Sequence, residues 1–158
     1  MMATRRVRET SEPGTSQQPQ SILLDSHVWY WYVDPAARPL APSTLALIDA
    51  SRETGEAFIS HVTPWELASK ASLGRLSLDK PANIWMEDAL RASGFSEIPL
   101  TLDILLDAAC LERGAPRDPM DRLLVATAQR HGCTLLTADG TILDWARRTR
   151  AVRVVRAR

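Results

Sequence analysis

From Ser21 onward apolar and polar positions alternate in short blocks. SILLD is an apolar run ended by an acid, and HVWYWYV stays apolar until Asp34-Pro35 stops it. STLALIDASRETG carries Leu45, Leu47 and Ile48 on one helical face, with Ser43 as the expected N-cap and Gly55 as the stop. AFISHV is expected as a second buried strand and TPWELASKASLGRL as a second capped helix. Two more helices are predicted over Asn83–Ser93 and Thr101–Arg113, stopped by Gly94 and Gly114. A helix over Pro119–His131, the strand CTLLTA, a short helix over Thr141–Arg148 and a final strand AVRVV complete the chain. No repeat recurs at a fixed period. Short strands separated by helices need crossover connections, which predicts a three-layer α/β/α domain on a mostly parallel sheet.

The first twenty residues, MMATRRVRETSEPGTSQQPQ, lack this pattern. Their polar, Pro- and Gln-containing composition cannot bury enough apolar surface to order itself, so 1–20 is expected as a disordered arm and 21–158 as the folded domain. Nineteen basic and nineteen acidic residues cancel, so net charge selects no partner. Their distribution is uneven: six arginines fall between Arg147 and Arg158, three more are Arg5, Arg6 and Arg8, and Lys70 and Lys80 are the lysines. Cys110 and Cys133 are far apart, with no metal-ligand spacing, and read as thiols of a reducing compartment. The absence of a long apolar run or a secretory h-region predicts a protein that neither spans a membrane nor is exported.

Open α/β sheets bind ligands outside the carboxyl ends of their strands, and acids gather there. Asp25 follows SILL, Asp139 follows TLLTA, Glu66 lies just beyond AFISHV, and Asp121 opens the helix preceding TLLTA. Each also has a structural reading. Thr63-Pro64-Trp65-Glu66 matches a capping box, Lys70 can pair with Glu66 one turn on, Asp118 and Asp139 can cap helices, and Asp25 can serve a turn. Asp121 is the exception. On a wheel of 100° per residue it falls between Val125 and Ala128, on the interior side, with Arg122 and Gln129 opposite. Dipole stabilisation, typically ~0.3–1 kcal/mol, does not account for an inward acid. If the four acids converge, carboxylates about 5 Å apart repel by roughly 3 kcal/mol at an effective dielectric near 20, so the group takes up protons or binds a cation. An all-oxygen set suits Mg²⁺ or Mn²⁺ rather than zinc.

The motifs ILLDSHVWYW, VTPWELASKASLGRL, RDPMDRLLVATA and TLLTAD stand in an order and approximate spacing that resemble a PIN domain, from Ile22 to about Val155, and more narrowly the VapC-type toxins of bacterial toxin-antitoxin pairs. The resemblance implies a ribonuclease dependent on Mg²⁺ or Mn²⁺, with Asp25, Glu66, Asp121 and Asp139 as the catalytic, metal-holding quartet and Asp118 as the accompanying acid of the D-P-x-D-R turn. It further implies an RNA substrate, a homodimer, a cognate VapB-type antitoxin whose C-terminal segment enters the active-site groove, and the cytoplasm of a bacterium. Relatives often carry His where this chain has Arg117.

Two other features have double readings. Trp29, Tyr30, Trp31 and Tyr32 can stack on bases or fill the core and a dimer face. Alternating Arg and Val in AVRVVRAR can track phosphates or guard an edge strand. Two other functions also fit an acidic strand edge: a phosphatase with Asp25 as nucleophile, disfavoured because His27 stands where a second acid is needed, and a non-catalytic binding module whose acids only cap helices.

Overall fold

Ile22 and Leu24 point to one side of the central strand and Leu23 to the other, and both sides are buried. That two-sided burial is what a continuous apolar run such as ILL encodes. The computed structural model describes residues 20–158. The arm expected over 1–20, with Arg5, Arg6 and Arg8, lies outside the described residues except for Gln20.

The element order is β1 (Ile22–Leu24), α1 (Ser26–Val33), α2 (Pro42–Glu53), β2 (Ala57–Ser60), α3 (Val62–Ser72), α4 (Ala82–Ser93), β3 (Ser96–Ile98), α5 (Leu102–Ala109), α6 (Pro119–His131), β4 (Thr134–Thr137), α7 (Gly140–Thr149) and β5 (Val154–Arg156). The five strands form one sheet in the order β3-β2-β1-β4-β5, and every pairing is parallel. One apolar core joins the Ile22 and Leu24 side to Val28 and Trp29 of α1, Ile48 of α2, Leu67 of α3 and Met86 of α4. The other joins Leu23 to Ile104 of α5, Val125 of α6, and Ile142 and Trp145 of α7. The result is the expected α/β/α sandwich.

Four local expectations are corrected. Ser43 does not cap α2; Ala41 holds the N-cap position without a side-chain bond, and Pro42 fills the first turn, where a missing N–H costs nothing. Thr63 does not start α3 either. The helix begins at Val62 behind His61, so the capping box does not form, and the buried Thr63 hydroxyl instead accepts from Ser26 Oγ at 3.3 Å. The helix expected over Thr101–Arg113 ends at Ala109, because Arg122 of α6 reaches across to the carbonyls of Ala108 (2.9 Å) and Ala109 (3.1 Å) and satisfies them there. The strand β3 has no counterpart among the expected elements: it is three residues long and has two exposed positions, too little for an alternating signal. AVRVV does become an edge strand, but β5 starts only at Val154.

The chain connections run from β1 outward to β2 and β3 on one side and resume at β4 and β5 on the other. This reversal of strand order opens a crevice beyond the carboxyl ends of β1 and β4.

Candidate active site

Asp25 ends β1 and is the N-cap of α1, where its Oδ1 accepts the His27 amide at 3.3 Å. Its other oxygen accepts the Thr137 hydroxyl at 2.6 Å. Asp25 is only 4% exposed. Burial pushes its carboxyl up, yet the bonds from His27 and Thr137 outweigh that and hold it below the ordinary 3.8. A buried side chain is thus fixed in its charged form at the centre of the sheet.

Asp139 follows β4 and caps α7, accepting from the amides of Thr141 (2.7 Å) and Ile142 (3.0 Å). Asp118 caps α6 in the same way, through Met120 (2.8 Å) and Asp121 (3.3 Å). Asp121, in the first turn of that helix, caps nothing. It faces inward as the wheel indicates, beside the buried Val125 and Ala128. Its carboxyl is pushed up to about 7 by burial first, then by the charges of Asp139, Asp118, Asp25 and Glu66. The other three members of the quartet therefore all act on Asp121.

Glu66 belongs to α3 and is drawn to Lys70 Nζ at 2.6 Å. The same ammonium lies 2.9 Å from His27 Nε2. With Nε2 accepting from lysine, the imidazole proton belongs on Nδ1, which lies 3.7 Å from Asp25 Oδ1. Asp25 raises the His27 pKa above its usual value, while burial and the Lys70 charge oppose it. A chain of contacts, Asp25 to His27 to Lys70 to Glu66, so links two of the four acids through a cation. Arg122, one residue after Asp121, is turned away onto the carbonyls of Ala108, Pro116 and Ala109.

Among the described residues no three His, Cys, Asp or Glu side chains are gathered tightly enough to enclose an ion as they stand. The donor set nevertheless fits a hard divalent cation. It offers carboxylate oxygens from the end of β1, from α3, from α6 and from the head of α7. One carboxyl, that of Asp121, is pushed up to about 7 by burial and then by its acidic neighbours, a crowding that a cation would relieve. Glu66 is engaged by Lys70 at 2.6 Å.

Sequence reasoning singles out neither Thr137 nor His27 as a functional residue. For Thr137 the signal is present: it is a hydroxyl at the end of the apolar strand TLLT, fully buried, and such a group needs a partner. His27 offers none, since a histidine beside a helix start is usually solvated.

Known proteins share both sequence and fold with this chain. The chain is 34% identical over 119 residues to Ribonuclease VapC22 of Mycobacterium tuberculosis, covering 75% of this chain and 87% of that protein. Its fold is similar to that of VapBC2 from Rickettsia felis, crystallised with a DNA fragment from their promoter, at a TM-score of 0.63 and 16% identity, over 85% of this chain and 97% of that one. FitAcB from Neisseria gonorrhoeae is similar at a TM-score of 0.57 and 24% identity, over 84% and 95% of the two chains. The PIN domain model itself matches residues 22–147, which include all four acids, and the chain belongs to that family.

Proposed function

We propose that the protein is an endoribonuclease that hydrolyses RNA phosphodiesters with the aid of Mg²⁺ or Mn²⁺, and that it is the toxin of a toxin-antitoxin pair. The observation that carries the reading is Asp121: an inward acid with no capping duty, half-buried and pressed by four other carboxylates, three of which arrive from other elements. A relative 34% identical over most of the chain is a ribonuclease by name, which gives the acids a reaction.

Asp25, Glu66, Asp121 and Asp139 are the residues that would hold the metal. When bound, Mg²⁺ or Mn²⁺ lowers the pKa of a coordinated water and offsets negative charge developing on the phosphate. The chain supplies the rest. Thr137 and His27 fix both oxygens of Asp25, so that this ligand needs no reorganisation. The amides at the head of α7 fix Oδ1 of Asp139 and leave Oδ2 without a capping duty. Lys70 stands beside Glu66 and offsets that charge where a substrate phosphate would approach.

The other two readings gain less. The position two beyond Asp25 holds a histidine bonded to Lys70 rather than the second acid that an aspartyl-nucleophile phosphatase carries there. A binding module whose acids only cap helices accounts for Asp25 and Asp139 but not for Asp121.

A homodimer and a cognate antitoxin complete the proposal. Leu102, Leu105 and Leu106 leave α5 with an exposed apolar face of the kind that partners cover. The test is incubation of the purified, partner-free protein with total bacterial RNA in Mg²⁺, in Mn²⁺ and in EDTA, beside Asp121→Asn and Asp118→Asn. Discrete fragments are expected only with metal, are abolished by Asp121→Asn and survive Asp118→Asn. Identical behaviour of all three folded proteins overturns the nuclease reading in favour of a binding module.

A further inference from the structure

Asp25 and Asp139 line a cleft of about 300 Å³ together with Trp31, Arg38 and Arg158. The guanidinium of Arg38 lies 5.3 Å from the centre of the Trp31 ring, and that of Arg158 lies at the same 5.3 Å. Both distances fall within the range of a cation–π contact. The aromatic run on α1 has thus been divided: Trp29 and Tyr30 are buried in the core, Tyr32 packs edge-on to Phe95, and Trp31 alone of the four faces the cleft.

The end of the chain is held in place to match. The Ala157 amide donates to the Thr137 carbonyl at 2.8 Å, and the Ala157 carbonyl accepts the Thr44 hydroxyl at 2.9 Å. These bonds bury Ala157 completely and set Arg158 over the ring. Among the described residues neither guanidinium has a carboxylate within 4.0 Å. Each retains its planar fork of donors, a shape matched to a phosphate. The cleft therefore has two carboxylates and two guanidiniums in one lining.

We propose that Trp31, Arg38 and Arg158 form a substrate subsite that grips a backbone phosphate of single-stranded RNA adjacent to the bond placed at the acids. The two arginines bind the phosphate, and Trp31 is a positioning residue whose ring contacts both guanidiniums. The inference rests on the nuclease reading for the identity of the strand. A volume of about 300 Å³ is at the small end of ligand pockets, which suits one nucleotide of one strand.

The test uses full-length protein carrying Asp121→Asn, so that RNA is not consumed, with a fluorescein-labelled single-stranded oligoribonucleotide in Mg²⁺ across a salt series. Adding Arg38→Gln and Arg158→Gln together is expected to weaken binding about tenfold at low salt. The slope of log affinity against log salt is expected to flatten by about 0.7 for each phosphate that is no longer neutralised. The lysine pair, Arg38→Lys with Arg158→Lys, is expected to restore the slope, which a merely structural role for these side chains does not predict. Unchanged affinity and slope in the glutamine pair overturn the subsite, as does failure of the Asp121→Asn protein to bind RNA at all. Cleavage by the chain with its four acids intact is followed in parallel. Metal-dependent cleavage with unchanged binding in the glutamine pair leaves the nuclease standing and removes the subsite, whereas altered binding without cleavage does the reverse.

Discussion

Thr137 stands between two carboxylate residues and serves both: its hydroxyl donates to Asp25 Oδ2 at 2.6 Å, and its oxygen accepts the Asp139 amide at 3.0 Å. One buried side chain at the end of β4 therefore sets the charge of one proposed ligand and the backbone position of another.

Replacing it with valine keeps the shape and removes both bonds. Thr137→Val is expected to cost about 1.5–3 kcal/mol, the range for a hydrogen bond to a charged group. The pH dependence has a definite sign. Asp25 titrates below its ordinary 3.8 when folded, so its contribution is present above that value and is lost as pH falls through the lower, folded pKa. In Thr137→Val the Asp25 carboxyl moves up, and acid unfolding starts at a higher pH. Denaturation curves from pH 2.5 to 7 check this, and coincident curves for the two proteins count against it.

Asp121 has the opposite sign. Its carboxyl titrates at about 7 in the folded chain against 3.8 ordinarily, so the folded state holds the proton more tightly. Stability from this group is greatest at low pH and is lost as pH rises through about 7. In EDTA, Asp121→Asn is expected to be more stable than the unsubstituted protein, by a margin in Tm that opens between about pH 4 and 7 and then levels off. Excess Mg²⁺ at pH 8 is expected to narrow it, since a ligand at a hundred times its Kd stabilises by about 2.7 kcal/mol. A margin that does not vary with pH refutes the assignment.

Lys70 competes with a cation for Glu66. Removing it in Lys70→Met releases a carboxylate that is now bound at 2.6 Å. An ion pair of this partly exposed kind contributes up to about 1 kcal/mol, which translates into roughly fivefold tighter Mg²⁺ or Mn²⁺ binding. Calorimetric titration of the two proteins decides it; weaker binding in the methionine variant shows that Lys70 supports the site rather than opposing it.

Asp118 and Asp139 both cap helices, but only Asp139 lines the cleft. Alanine at either position is expected to cost about 1 kcal/mol through the lost cap. RNA cleavage is expected to persist in Asp118→Ala and to fall at least a hundredfold, on the order seen when an electrostatic group is removed from a catalytic site, in Asp139→Ala. Thermal melts and cleavage rates on the same preparations separate the two effects, and equal rates in both variants remove Asp139 from the quartet.

Much of this arrangement is legible in the chain. Apolar runs ended by acids mark β1 and β4 with Asp25 and Asp139 behind them, because buried parallel strands are written as unbroken hydrophobic stretches. The helical wheel finds the inward aim of Asp121, because periodicity survives folding when the interior face is well populated. Local capping signals are less dependable. Asp118 caps as expected, whereas Ser43 and the Thr63 to Glu66 box do not, since Pro42 and His61 move both helix starts upstream. A capping motif reports which atoms can bond, and packing decides where the helix begins. β3 and the division of labour in the aromatic run depend on long-range neighbours, Phe58 and Ile59 of β2 for the first and Phe95 for Tyr32. No window along the sequence contains them together.

Asp25 and Asp139 accept backbone amides while also presenting charge, and this double duty shapes what mutation can do to the protein. Asparagine keeps one acceptor oxygen for the backbone amides and puts an NH₂ donor in place of the other oxygen, so at Asp139 it spares the cap, whereas at Asp25 it also gives up the bond from the Thr137 hydroxyl. The smallest genetic step away from either aspartate therefore keeps the helix start and removes the electrostatics. On the nuclease reading proposed above, that step at Asp139 silences the chain without losing the folded protein, and reversing the same step restores activity.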